Sequence, residues 1–387
     1  METMAEYLAE LVKAGLEDRK AASLPEGVSV REIVKISEEN HMDYLLLGAL
    51  LKTDGLSEEE KELLREKVLG SMLFTGMQLQ ELKKLEERME QAKIPCQPMK
   101  GARMKFYYPS PFLREMSDID ILIHGDFMEQ AAVELEAMGY VLQQKIKHHD
   151  IYRKAPGIVV EAHRTVDERQ YAYFSDLSRA VRRKGFLYVY DFEAEDFYIY
   201  MMAHMAKHFY KRGCGIRNLV DIYVFLEKFG GEMNADYLQK QFAGLGLTAF
   251  TEHMEKLARI WLQGEPGEAF YQQLFDYMQG CGIYGKDENG IWNRFCDAQP
   301  EKGEKGRDAL KRWYWFPPYE YMVLYYPWLS RNPVAGKFLL PAAWGIRAVR
   351  GVVCGRGKYK REMLRQIDAS QIGVRQDIYR RLQLRFH

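Results

Sequence analysis

Asp118 and Asp120 stand one residue apart in "REMSDIDILI" (114–123), at the mouth of a β-branched apolar run. On a strand, residues i and i+2 share a face. The spacing therefore sets both carboxylates on one side and turns Ile119, Ile121 and Ile123 to the other. Two carboxylates held that close repel, and neither is cheaply desolvated without a cation. Magnesium, or manganese in its place, is hard, prefers oxygen and takes one or two carboxylates together with substrate phosphates. Two such ions about 3.5–4 Å apart activate an attacking oxygen and neutralise a leaving one. The arrangement asks for a third carboxylate on an adjacent strand, and "VVEAH" supplies Glu161 within an apolar run. The expected chemistry is metal-assisted phosphoryl transfer, with Asp118, Asp120 and Glu161 as ligands and catalytic residues. An isolated D-x-D is common on exposed loops. A strand, a Gly turn, a helix, D-x-D on a strand and a further acidic strand some forty residues on is a much rarer combination.

The elements that must position these acids are legible from punctuation and period. Pro95 and Pro98 exclude a helix interior and Gly101 marks a turn. This predicts a short strand near 95–99, a turn at Lys100-Gly101 and a helix from 102 to about 108. "DIDILIH" reads as a strand and "DFMEQAAVELEAMGY" as a helix capped by Asp126 and ended by Gly139. "YVLQQKIKHHDIYRK" and "GIVVEAHRTV" read as two further strands joined across "APG". "HHD" (148–150) is expected at a strand edge. A small mixed α/β unit is thus expected over 94–168.

Around it the chain reads as helical. Residues 1–93 carry apolar side chains at three- and four-residue spacing, and Ser57 with Glu60 forms a capping box that opens a long helix to about Ala92. Residues 169–312 are expected to form a helical domain, with four helices between 194 and 280 and a Gly-rich loop over 281–312. Residues 313–387 are first aromatic and then basic. The expected fold class is α+β, mostly helical: a small mixed sheet flanked by N-terminal helices and followed by a C-terminal helical domain.

Bulk composition limits the remaining possibilities. The 387 residues carry 55 Lys+Arg and 55 Asp+Glu, so no net charge draws the whole chain to nucleic acid or anionic lipid. From Arg331 onward thirteen Lys/Arg face three Asp/Glu, a basic stretch suited to RNA, anionic lipid, an acidic partner or the acidic N-terminal helices. Cys96, Cys214, Cys281, Cys296 and Cys354 are odd in number, dispersed and without a CxxC pair, which argues against a disulfide framework or a structural zinc site. Reduced thiols, an N-terminus without a signal-peptide core and no long uncharged apolar run together point to a cytoplasmic protein.

"PMKGARMKFYYPSPFLREMSDIDILI" resembles the opening of the polymerase-β-type nucleotidyltransferases. More narrowly, the chain is similar to the largely uncharacterised bacterial "nucleotidyltransferase family protein" group. The resemblance rests on Lys100-Gly101, Tyr108-Pro109, Arg114, Asp118-Ile-Asp120 and Glu161-Ala-His163. It is sharp over about 94–165 and diffuse from about 40 to 290. It implies a magnesium-dependent transfer of a nucleoside monophosphate from an NTP to an acceptor that the sequence does not identify. It also implies a helical domain closing a cleft. His204 and His208 match its His-x-x-x-His helix and Asp221 its following helix, so these residues, with Arg217 and His163, are expected near nucleotide or acceptor.

Two positions depart from the superfamily. The turn is Gly101-Ala102 where a Gly-Ser or Gly-Gly is usual, and the third acid is Glu in place of Asp. Lys100 is expected to meet phosphate as a point charge. Arg114 is expected either to meet phosphate or to pair with Glu115 or Asp118. Arg217 and Asp221 are also spaced for an i, i+4 ion pair, and the stripe Phe197, Met201, His204, His208 suits either a pocket rim or packing against the N-terminal helices. A binding or regulatory module on the same fold, holding a nucleotide or protein without turnover, is the competing function.

Overall fold

The computed structural model describes residues 2–166, 174, 177–286, 289, 303–353 and 369–384. They fall into two compact units, one of residues 1–207 with 214–284 and one of residues 208–213 with 285–387.

The first unit begins with helices α1 (Glu2–Leu16) and α2 (Val30–Asn40), then a π turn over Asp43–Leu47 that runs into α3 (Gly48–Leu50). Helix α4 (Glu58–Gln91) is continuous through Gly70. Its N-terminus has the expected capping box: Ser57 Oγ accepts from the Glu60 amide and the Glu60 carboxylate accepts from the Ser57 amide. Ser29 and Glu32 repeat the device at the start of α2, satisfying two backbone donors that a helix end leaves orphaned.

The sheet has five strands: β1 (Cys96–Pro98), β2 (Ile119–Ile123), β3 (Val141–Lys145), β4 (His149–Lys154) and β5 (Ile158–His163). Their spatial order is β1-β2-β5-β4-β3. Only β2 and β5 run parallel; the remaining pairs are antiparallel. Helix α5 (Lys100–Met104) and a 3-10 turn (Lys105–Tyr107) follow β1, and α6 (Met128–Ala137) joins β2 to β3. One sheet face is dry. Ile119, Ile121 and Ile123 of β2 and Val160 and Ala162 of β5 pack with Tyr152, Leu135 and the α4 residues Leu82, Leu85 and Met89.

Three local expectations are corrected. "YVLQQKIKHHDIYRK" is a hairpin, β3 and β4, because the chain reverses between Lys145 and His149 instead of extending. The cap of α6 is Phe127 and makes no side-chain hydrogen bond, so Asp126 lies one residue too early. A helix spans Gly303–Trp315, starting within the segment expected to be loop and running past its end. A two-stranded sheet, β6 (Ala180–Arg182) with β7 (Tyr190–Phe192), was not foreseen.

Helices α7 (Ala194–Arg212), α8 (Arg217–Phe229), α9 (Ala235–Leu245) and α10 (Thr248–Gln263) match the four expected. A fifth, α11, spans Ala269–Cys281. The fold is α+β and mostly helical. In the second unit, Met322, Tyr326, Leu329 and Ala343 form a small core. Of the basic stretch from Arg331 onward, residues 354–368 and 385–387 lie outside the described residues, as do Cys296 and most of 287–302. Cys96, Cys214 and Cys281 are buried free thiols. Among the described residues no helix is long and apolar enough to cross a membrane.

Candidate active site

The other face of the sheet is polar. Asp120 of β2 is directly opposite Glu161 of β5, and Leu122 is opposite His163. On the far side of β5, His163 is opposite His149 of β4. Alternation along β2 and β5 therefore collects Asp120, Glu161, His163 and His149 on one surface, while their neighbours enter the core. Asp118 precedes the strand by one residue and joins the same group electrostatically.

The distances define a compact cluster. Lys100 Nζ donates to Asp120 Oδ1 at 2.6 Å, and His163 Nε2 lies 2.8 Å from the same oxygen. His163 Nε2 is also 3.4 Å from Glu161 Oε2, so one imidazole nitrogen touches both carboxylates. His149 Nε2 is 3.7 Å from Glu161 Oε1, and its ring centre is 4.8 Å from that of His163. Lys100 reaches Asp120 from a left-handed backbone position, φ 46°, at the turn out of β1. That conformation is uncommon for a residue with a Cβ. Gly101 follows because a Cβ there would lie 2.5 Å from Arg114 Nη1. The Lys-Gly turn is thus shaped by two close approaches, one toward Asp120 and one toward Arg114.

Burial works against the charge on Asp120, but Lys100 and the hydrogen bond from His163 outweigh it and hold this carboxyl well below the usual carboxylate range. Asp118 goes the other way. Burial and then the Asp120 charge push its pKa up to about 7, with Glu161 adding to the effect. The group is short of positive charge around Asp118. A hard dication fits that deficit and the oxygen donors of Asp118, Asp120 and Glu161. His163 is raised against the burial penalty by its bonds to Asp120 and Glu161, whereas burial lowers His149.

Residues 26–263 match the model of a family described as "Uncharacterised nucleotidyltransferase". The chain belongs to that family. The match takes in every residue of the acidic face as well as α7 and α8. A comparison with curated proteins finds no match. Among solved structures, the antibiotic-resistance factor ANT(2'')-Ia is similar at 11% identity and a TM-score of 0.28, over 49% of this chain and 92% of that one. An antigenic nucleotidyltransferase-like protein from Paracoccidioides brasiliensis is similar at 19% identity and a TM-score of 0.32, over 49% of this chain and 94% of that one. Likenesses this slight carry no argument about substrate.

Arg114, Arg217 and Asp221 have a different setting from the acidic face. Arg114 grips Asp221 with two bonds, Nε to Oδ1 at 3.1 Å and Nη2 to Oδ2 at 2.8 Å. Tyr108 Oη adds a third at 2.7 Å. Arg217 donates to the Glu115 carbonyl at 3.2 Å. The pair expected between Arg217 and Asp221, or between Arg114 and Glu115 or Asp118, gives way to Arg114–Asp221. The reason is geometric: a planar guanidinium meets a carboxylate through two parallel bonds, and α8 presents Asp221 to it. All three side chains are buried, and they fasten the segment before β2 to α8.

His204 of α7 is half-buried with its ring 6.0 Å from that of Tyr200. Tyr200 is buried and interacts electrostatically with Lys100, Asp120 and Glu161. Tyr200 thus links α7 to the acidic face, and His204 lies one turn further along the helix. His208 is exposed and belongs to the second compact unit. His149 and Tyr200 were missed. The signal for His149 was its place opposite His163 once the hairpin is drawn; Tyr200 carried no local signal beyond its place one turn before His204.

Proposed function

We propose that this chain is a magnesium-dependent nucleotidyltransferase that moves a nucleoside monophosphate from an NTP to a nucleophilic acceptor. The observation that carries the reading is the in-register pair Asp120–Glu161, with Asp118 beside it, in a chain of the nucleotidyltransferase family. Asp118, Asp120 and Glu161 would hold the metal, which neutralises charge on the triphosphate when bound. Lys100, which now donates to Asp120, would meet a phosphate oxygen while Asp120 served the metal. The acceptor oxygen or nitrogen attacks the α-phosphorus, the bond from that phosphorus to the bridging oxygen breaks, and pyrophosphate leaves with the electron pair. The acceptor's proton leaves through Glu161, whose side chain is 18% exposed against 3% for Asp120. His163 orients both carboxylates, and Tyr200 walls the site toward α7. Catalysis of this kind is positioning and charge neutralisation.

One observation favours a second reading. Asp120 already has two hydrogen-bonding partners, the Lys100 ammonium and the His163 imidazole. A chain that neutralises its own acid could hold a nucleotide or protein as a regulatory module without turnover. Calorimetric titration with each NTP, with and without magnesium, followed by assay of pyrophosphate release, separates the two. The enzyme is expected to bind an NTP more tightly with magnesium, to lose that gain in Asp118→Asn and Asp120→Asn, and to release pyrophosphate when an acceptor is present. Binding that ignores magnesium and both substitutions would remove the metal from the mechanism.

A further inference from the structure

The acidic face is not all oxygen. The ligand atoms of His149, Glu161 and His163 lie within 4.8 Å of one another. His163 Nε2 is 3.4 Å from Glu161 Oε2 and His149 Nε2 is 3.7 Å from Glu161 Oε1, each separation close to the edge of a coordination tetrahedron though each to a different oxygen of the carboxylate. With metal–nitrogen and metal–oxygen bonds of about 2.0–2.2 Å, that edge is about 3.3–3.6 Å. The His149 side chain makes no hydrogen bond among the described residues, and its Nδ1 is buried without a partner. Its ring is nevertheless held on the same face by the register of β4 against β5.

We infer that His149, Glu161 and His163 form a second metal position, at the β4 side of the acidic face, that takes a first-row transition-metal dication such as zinc, iron(II) or manganese and discriminates against magnesium. The inference rests on the proposed reading of the acidic face but reaches past its three carboxylates. Imidazole nitrogens suit borderline metals, whereas magnesium demands oxygen and gives up water reluctantly. Two histidines with one carboxylate form a donor set that leaves positions open for water or substrate. The glutamate in place of the usual aspartate also acquires a purpose. Its extra methylene carries the carboxylate toward His149, to which Oε1 is already turned, while Oε2 faces His163. The face then has two ends, an oxygen end at Asp118 and Asp120 and a nitrogen-rich end at His149 and His163, joined by Glu161; on taking a metal, His163 Nε2 gives up its proton and with it the bond to Asp120.

The test uses Co2+ as the probe, on the full chain with no nucleotide present. Visible ligand-field bands report direct nitrogen coordination. Wild type is expected to bind Co2+ with such bands and to keep them under a hundredfold excess of Mg2+. His149→Ala and His149→Gln are each expected to weaken Co2+ binding at least tenfold, with far-UV circular dichroism confirming the fold. Two variants are used so that loss of folding in one leaves the other to decide. Co2+ affinity unchanged in both variants, or displacement of Co2+ by an equal concentration of Mg2+, would overturn the inference. Because no nucleotide is present, that failure leaves the nucleotidyltransferase reading standing. Conversely, magnesium-independent NTP binding alongside His149-dependent Co2+ binding would overturn the function and keep this metal site.

Discussion

Replacing Lys105 with methionine should stabilise the protein, and by an amount that depends on pH. Lys105 opens the short 3-10 turn after α5 and is 0% exposed. Its Nζ has no hydrogen-bond partner among the described residues. Burial, then the nearby charge of Arg114, pulls its pKa down to about 7 from the ordinary 10.5. The unfolded chain therefore binds this proton more tightly than the folded one. Stability rises with pH wherever the unfolded state holds more protons, so the penalty is fully present below about pH 7 and fades as pH climbs toward 10.5. At about 1.4 kcal/mol per pKa unit the ceiling is about 5 kcal/mol at pH 6, falling to about 1.5 kcal/mol at pH 9.5. Water entry and relaxation reduce such figures, and about 2 kcal/mol at pH 6 is a reasonable expectation. Methionine keeps the length of the side chain and removes the ammonium. Urea unfolding of wild type and Lys105→Met at pH 6 and 9.5 reads the difference directly. A gain at pH 6 that shrinks by half or more at pH 9.5 is expected. A gain that does not change with pH, or a loss at pH 6, would refute the reasoning that an unpaired buried charge sits there.

Asp221→Asn should cost about 3–5 kcal/mol, because it leaves the buried Arg114 without its countercharge; unfolding near wild-type stability with weakened NTP affinity would instead make Asp221 a binding residue. Gly101→Ala should cost about 1–3 kcal/mol, since the new Cβ would lie 2.5 Å from Arg114 Nη1; an unchanged melting temperature counts against the close-approach argument. Asp118→Asn should leave metal-free stability at pH 8 equal to wild type or above it, because the carboxyl titrates near pH 7 and is held charged at a cost above that pH; a clear loss of stability by urea unfolding contradicts this. His204→Ala should change NTP affinity less than Tyr200→Phe, because Tyr200 interacts with Lys100, Asp120 and Glu161 while His204 lies one turn further along α7; calorimetry in which the histidine variant is the more damaged reverses that order.

Much of the acidic centre could be read from the chain because strand periodicity is local. Alternation alone sends Ile119, Ile121 and Ile123 one way and Asp120 the other. The capping box at Ser57 and the helices from Ala194 to Gln263 follow equally from neighbouring residues. What alternation cannot supply is register between strands. That Asp120 lies opposite Glu161, and His149 opposite His163, depends on a parallel pairing of β2 with β5 and on a hairpin that folds β4 back against β5. The sequence offered no strong turn signal between Lys145 and His149, so the hairpin was read as one strand and His149 as an edge residue.

The charge partners show the same division. From the sequence, Arg217 and Asp221 are i, i+4 neighbours, and Arg114 is a cation of open role. In the fold, Asp221 takes Arg114 from 107 residues away, because the planar guanidinium meets a carboxylate through two bonds and α8 presents one to it. The sequence by itself determined which charged residue types gather on the polar face and which face of each strand they occupy, because those follow from backbone geometry over a few residues. Tertiary structure alone decided which of them meet, because meeting depends on strand register and helix docking between segments far apart in the chain.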